Sequence, residues 1–131
     1  MAIQFTFNPF TGKFDAIDVF NNNPIGSPDS IASSATPTID TDAYNFFSIT
    51  ALATDITSMT TNLSGAPIDG QKLIIRIKDD GTSRAIAWGA KFIAKGATLP
   101  TATPLGKELL VGLIYNSVTA VFGCVATSYE V

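Results

Sequence analysis

The sequence predicts an all-β protein, with an antiparallel β-sandwich or jelly-roll-like body and an extended N-terminal arm. Residues 72–78 alternate polar and apolar side chains, and Leu73, Ile75 and Ile77 share one face, as in a half-buried strand. Residues 108–115 and 120–129 are nearly continuous apolar runs with β-branched and aromatic members, which is typical of central strands. Helical periodicity is weak along the chain, and the abundance of Thr and Ser with regularly spaced turns suggests a sandwich or jelly-roll-like body.

The first predicted element is an aromatic arm at residues 1–20. It carries five of the nine phenylalanines of the chain, namely Phe5, Phe7, Phe10, Phe14 and Phe20. The segment from Asn8 to Gly12 predicts a turn, because Pro9 presets φ and Gly12 relieves the exit. We therefore expect a hairpin or strand that adds to a sheet edge. Burial of each aromatic side chain is worth roughly 1.5–3 kcal/mol, so the arm is expected to dock on a partner or on its own body.

A connector rich in Asn, Ser, Pro and Gly is predicted at residues 21–38, and the folded body at residues 39–131. If the connector is flexible, it favours docking of the arm on a partner over docking on its own body. The sequence predicts the strands of the body, in chain order, at residues 44–50, 55–60, 72–78, 84–88, 108–115 and 120–129.

Two hairpins are expected within the body. Asp79, Asp80 and Gly81 are a strong turn signal between residues 72–78 and 84–88. Residues 116–119 are predicted to connect the two apolar runs near the C-terminus. Ile74 interrupts the polar face of its strand, so we expect that strand to be covered on part of its second side.

The composition is typical of a chain that self-associates or attaches to a larger assembly, and a plain hydrophobic core would explain it equally well. The chain has 131 residues, a size typical of one domain, with 46% hydrophobic residues and only 15% charged ones. The net charge is −3, but it is unevenly divided: one basic and seven acidic residues precede Lys72, and seven basic and four acidic residues lie from Lys72 onward. Contact between neighbouring copies would use these opposite charges, although two layers of one fold facing each other would use them equally well.

Residues for enzymatic chemistry are scarce, so we expect no enzyme and no cofactor. The chain has no histidine and a single cysteine, Cys124, which lies in an apolar run and is expected to be buried. It has no phosphate-binding or dinucleotide-binding glycine motif. The carboxylate pairs Asp40/Asp42 and Asp79/Asp80 suggest calcium only weakly, and turn chemistry explains the second pair better.

Other ligands have weaker signals. Trp88 is a possible sugar-stacking residue, but it shares a strand face with Ile86, which favours a place in the core. Basic residues concentrate at residues 72–84 without interleaved aromatic residues, and the chain is acidic overall, so no nucleic-acid partner is expected. No apolar run approaches the roughly 18 residues of a membrane-spanning helix, so no membrane partner is expected.

Two segments carry a resemblance to known proteins. The run Phe7-Asn8-Pro9-Phe10-Thr11-Gly12-Lys13-Phe14-Asp15 resembles a segment that recurs at the start of tailed-bacteriophage virion proteins. Residues 69–88 are similar to a β-rich module of phage tail, fibre and head-appendage proteins, and the similarity continues through residues 97–100 and 110–112 to the C-terminus.

The resemblance implies a virion structural protein that decorates or cements the capsid or forms a neck or tail appendage. It also implies other virion proteins as partners, the virion as location and a symmetric homo-oligomer, for which a trimer is the first expectation. The arm would supply the partner contact through Phe5, Phe7, Asn8, Pro9, Phe10 and Phe14. The alternative is a carbohydrate- or receptor-binding module of a tail fibre.

Overall fold

The computed structural model describes residues 4–8, 13–17 and 28–131. These residues contain strands and no helix, which confirms the predicted all-β class. The strands are β1 (Gln4–Asn8), β2 (Lys13–Ile17), β3 (Pro28–Ile31), β4 (Ile39–Asp40), β5 (Phe46–Leu52), β6 (Leu63–Ser64), β7 (Lys72–Asp79), β8 (Phe92–Ala94), β9 (Glu108–Asn116) and β10 (Val121–Tyr129).

A six-stranded mixed sheet in the order β3-β5-β7-β9-β10-β8 dominates the body. Strands β3, β5 and β7 are parallel, β9 is antiparallel to both β7 and β10, and β8 is parallel to β10. The pairing of β9 with β10 confirms the predicted C-terminal hairpin. Two smaller sheets accompany the large one: the antiparallel hairpin β1–β2 and the parallel pair β4–β6.

Successive passages of the chain stack in parallel on one another. Phe46 pairs with Ile74 in the large sheet, Ile39 pairs with Leu63 in the small one, and Ile56 forms a parallel bridge with Ile86. This arrangement is typical of solenoid-like stacking, in which each passage contacts the next. An antiparallel sandwich or jelly roll is not confirmed, because the first three strands of the large sheet run in the same direction.

The core lies against one face of the large sheet, which we call the inner face. Alternation along β7 and β9 buries the side chains that point to this face, while their neighbours point away. The opposite wall of the core comes from loops and short bridges that hold Ile39, Ile56, Met59, Ile86 and Trp88. The core is therefore closed by one regular sheet and by segments that are mostly irregular.

Two predicted strands of the body are wrong. Residues 84–88 do not return along β7, because β5 and β9 already occupy both edges of that strand. Instead Ala85 bridges to Ala102, and Ile86 bridges to Ile56 on the far side of the core. Residues 55–60 contribute only that single bridge at Ile56.

The sheet begins earlier than residue 39. Pro28–Ile31 is its edge strand and pairs in parallel with β5, although the sequence assigns this stretch to the connector. The following residues remain attached, because Ala51 N donates to Ala32 O at 2.9 Å and Thr57 N donates to Ala35 O at 2.9 Å. Proline and serine at an edge strand give the same composition as a loop, so the pattern alone does not separate the two.

Candidate interaction surfaces

The N-terminal hairpin holds most of the predicted partner-binding residues. Phe5, Phe7 and Asn8 lie in β1, Phe14 lies in β2, and Pro9 and Phe10 fall outside the described residues. The backbone register pairs Phe7 with Phe14. Aromatic residues therefore occupy paired positions in a two-stranded ribbon that has no third strand among the described residues.

The outer face of the six-stranded sheet is unexpectedly apolar. The register forms rows across the strands: Phe46, Ile74 and Gly112 are neighbours, and Ile114 lies beside Gly123. Ile74 is 39% exposed and Ile114 is 37% exposed, and Ile93 on the edge strand β8 is 43% exposed. Phe46 and Leu110 are half-buried members of the same face. We call Phe46, Ile74, Ile93, Leu110 and Ile114 the outer apolar cluster.

Arg76 lies in this face and is held by three neighbours. Its guanidinium carbon is 5.0 Å from the centre of the Phe46 ring, and its Nε donates to Ser48 Oγ at 3.1 Å. The same Nε is 3.6 Å from Glu108 Oε2. Ser48 is only 2% exposed although it points outward. The cation is thus paired beside the cluster, where a cation–π contact and an ion pair compensate its charge.

Two glycines of the outer face, Gly112 and Gly123, leave the backbone without a side chain at their positions. A Cβ at Gly112 would meet nothing closer than 3.8 Å, so the sheet has an open depression between Ile74 and Ala126. At Gly123 a Cβ would be 3.0 Å from Lys95 carbons, because the lysine stem packs over the bare backbone. The depression at Gly112 leaves room for an apolar side chain from outside.

Trp88 offers no exposed ring for sugar stacking, so of its two predicted roles the place in the core is the one observed. The residue is only 6% exposed, and its ring makes an edge contact with Phe92 at 5.4 Å between centroids. Its indole Nε1 donates to the Pro100 carbonyl at 2.7 Å. A ring that is almost fully buried cannot stack on a sugar, so the side chain belongs to the core, as its alternation with Ile86 favours.

The Asp79–Asp80 pair is occupied by protein donors. Asp79 Oδ2 accepts a hydrogen bond from Thr103 Oγ1 at 2.7 Å, and its Oδ1 accepts from the backbone N–H groups of Gly106 at 2.9 Å and Gly81 at 3.0 Å. Asp80 accepts two bonds of 3.1 Å from Arg84 Nη2. Gly81 has a φ of 104°, which is favourable only for glycine. The pair therefore fixes the turn after β7 and the loop before β9.

The ionisation of Asp79 reflects two opposing effects. Burial raises its pKa, but the hydrogen bonds from Thr103, Gly106 and Gly81 and the charge of Arg84 favour the carboxylate more strongly. The net result is a pKa below the ordinary value of 3.8. The buried aspartate is charged in the folded protein and stabilises it in that form.

The other carboxylate pair also serves a loop. Asp40 Oδ1 accepts from the backbone N–H of Asp42 at 3.0 Å, and Asp42 Oδ1 accepts from that of Ala66 at 2.9 Å. Within the described residues no group of three or more acidic, cysteine or histidine side chains is arranged to hold a metal ion. These aspartates organise turns around the β4–β6 pair.

The single cysteine and a small pocket lie within the body. Burial raises the pKa of the Cys124 thiol, and the residue is fully enclosed, as expected from its apolar run. A pocket of about 150 Å³ near β6 has Thr41, Thr60 and Tyr115 in its wall. The Thr41 hydroxyl donates to Ser64 O and the Thr60 hydroxyl donates to Trp88 O, so both hold backbone in place.

Comparison with protein-family models, curated proteins and solved structures found no match. In the described parts of the chain, no helix has the length and apolar character needed to span a membrane. Among the described residues, the N-terminal hairpin and the outer apolar cluster are candidate interaction surfaces. Sequence reasoning identified the hairpin, and it missed the cluster apart from the signal at Ile74, because the cluster is assembled across strands whose pairing is remote in sequence.

Proposed function

We propose that this chain is a structural protein of a bacteriophage virion, where it decorates or cements the capsid or forms a neck or tail appendage. The N-terminal arm anchors it to another virion protein, and the β body forms a homo-oligomer. The role is architectural and not enzymatic. The proposal rests on one observation: the β1–β2 hairpin forms a two-stranded sheet of its own, whereas the six-stranded sheet begins at Pro28.

The physical argument concerns the stability of such a hairpin. A two-stranded ribbon is marginally stable in water at best, and it needs a third strand or a packing surface. Here the ribbon pairs Phe7 with Phe14 within a segment of five phenylalanines, whose exposure would be costly. Docking on another protein supplies both requirements. Weak contacts from single arms become strong when linked copies engage a repeating lattice together.

The body supports an architectural role in a different way. Its buried polar groups hold turns and loops, as the three hydrogen bonds to Asp79 illustrate. The carbohydrate-binding alternative loses its main candidate, because Trp88 is buried.

The proposal is tested by removing the arm. The full chain and a variant without residues 1–20 are mixed with tailed-phage particles that lack the protein, and binding is measured by co-sedimentation. We expect the truncated body to unfold at nearly the same urea concentration as the full chain and to lose binding to the particle.

A sharper variant changes the paired aromatic positions only. Phe7→Ser combined with Phe14→Ser should reduce particle binding at least tenfold, whereas Val118→Ser, at an 89% exposed position of a hairpin tip, should bind normally. Unfolding of the truncated body would contradict the proposal, because the arm would then belong to its own core. Normal binding by the double variant would contradict it as well.

A further inference from the structure

The outer apolar cluster has the character of a buried surface although it is exposed. Ile74, Ile114 and Ile93 are between 37% and 43% exposed, and they are neighbours or near neighbours across β7, β9, β10 and β8. Contiguous apolar patches of this kind mark interaction sites on soluble proteins. The one cation in the middle of the face, Arg76, is already paired with Glu108 and lies against Phe46.

The rim of the face carries charges that differ between its two ends. Lys78 and Glu108 are register partners at one end, where Glu130 also lies, since its backbone N–H donates to Glu108 O. Lys72 lies at the other end, beside Ile114, and Lys95 packs over Gly123 there. Glu108 and Glu130 therefore lie at one end of the strands together with Lys78, whereas Lys72 and Lys95 at the opposite end form no ion pair among the described residues.

We propose that this face binds the same face of a second copy of the chain, with the strands of the two sheets running in opposite directions. That orientation brings Lys72 and Lys95 of one copy to the end of the other copy that carries Glu108 and Glu130. Ile74 and Ile114 then pack against their counterparts across the depression at Gly112. Two sheets stacked in this way make an intersubunit β-sandwich, in which side chains from both faces interdigitate.

The available area suits such a contact. Strands spaced about 4.8 Å apart and about seven residues long give the six-stranded sheet a face of roughly 600 Å². Stable interfaces bury about 600–1,000 Å² on each partner, so the face is sufficient at the lower end of that range. A surface that binds its own copy has twofold symmetry. The resulting oligomer is a dimer, or is built from dimers, and the trimer implied by the resemblance is replaced.

This inference deepens the oligomerisation part of the proposed function and can be tested without a virion. The molar mass of the full chain is measured by light scattering and sedimentation at about 20 µM. We expect twice the 13.8 kDa of one chain. A monomeric or trimeric wild-type protein would overturn the inference. This holds even if the N-terminal arm is found to cover the outer face.

A matched pair of variants locates the interface. Ile74→Lys places a charge in the cluster and should raise the dimer dissociation constant at least 100-fold, measured as the molar mass over a dilution series that starts at about 20 µM. Ile68→Lys is the control, because Ile68 is 72% exposed and lies outside the sheet. An unchanged mass for Ile74→Lys, or equal loss of mass in both variants, would contradict the inference.

Charge reversal gives a second test that does not depend on a substitution in the cluster. Lys72→Glu and Glu130→Lys should each weaken the dimer about three- to tenfold, and the double variant should recover most of the loss, because the new charges attract across the interface. Additive weakening in the double variant would rule out the proposed orientation. The arm variants should lose particle binding while they remain dimers, whereas Ile74→Lys should lose the dimer in a measurement that contains no particles, so failure of the virion role and failure of the dimer are distinguished.

Discussion

The inner and outer faces of the six-stranded sheet are built from the same strands, but they bury their residues to different extents. The isoleucines of β7 point to different faces of the sheet. Ile75 and Ile77 point to the inner face and are fully buried in the core, whereas Ile74 points to the outer face and is 39% exposed. The inner face is covered by loops of the same chain. The outer face has comparable apolar content at several positions but no such cover among the described residues. The comparison shows that the apolar content of a sheet face does not decide its burial. A face is buried only where another segment packs over it.

The largest expected effect comes from a matched pair of substitutions in β7. Ile75→Ala should lower the free energy of unfolding by about 2–5 kcal/mol, because it opens a cavity in the core. Ile74→Ala should cost less than about 1 kcal/mol when unfolding is measured at a concentration too low for association. Urea unfolding followed by Trp88 fluorescence measures both. Equal losses would show that the outer face is packed within the monomer.

A smaller effect is expected at Asp79, the charged residue on the inner side of β7. Asp79→Asn should cost about 1–3 kcal/mol at pH 7, because the amide cannot accept all three hydrogen bonds of the carboxylate. The folded pKa lies below the ordinary value of 3.8, so the folded protein takes up a proton less readily than the unfolded chain. The contribution is therefore present above that value and is lost as the pH falls through the folded pKa.

The measurement for Asp79 is urea unfolding between pH 7 and pH 2.5. The difference in stability between the wild type and Asp79→Asn should narrow as the pH falls. Lys78→Gln removes a charge from the neighbouring position on the outer side and should change stability by less than about 0.5 kcal/mol. A gap that is constant with pH would mean that ionisation of Asp79 contributes nothing to the fold.

The smallest effect is expected at Arg76 on the outer face. Arg76→Lys keeps the charge but loses the flat contact with Phe46 and the bond to Ser48, and should cost about 0.5–1 kcal/mol. Both members of its ion pair with Glu108 are about 40% exposed, at 41% and 39%, so that pair contributes little and weakens with salt. Urea unfolding at low salt and at about 0.5 M salt separates the two contributions. A cost above about 2 kcal/mol would place Arg76 in the core of the monomer.

The parts of the fold that the sequence predicts are those with local signals. Alternation identifies β7, and apolar runs around a short turn identify β9 and β10. Parallel pairing is different, because the partner of Phe46 is Ile74 and only contacts distant in sequence select it. The turn at Asp79–Gly81 is real, but a turn signal does not reveal that both edges of β7 are already occupied.

The same distinction applies to the surfaces. Trp88 is buried on the same side of its segment as Ile86, as the local alternation predicts, although residues 84–88 are not a strand of the sheet. The outer apolar cluster depends on rows across strands, which no run of neighbouring residues displays. Ile74 is the one residue that breaks the local pattern strongly enough to indicate it. The arm stands out in the sequence because its phenylalanines are concentrated in a short segment.

The parallel pairing of β3, β5 and β7 has a consequence for how the chain acquires its structure. β9 and β10 close a short turn, whereas Phe46 and Ile74 must meet across a long intervening segment. Long loops close more slowly, so we expect the C-terminal hairpin to form first and to serve as a template for β7, then β5, then β3. Pulsed hydrogen exchange would report this order as protection of β9 and β10 before β3. During synthesis, the sheet would then begin to assemble only after its last strands have left the ribosome.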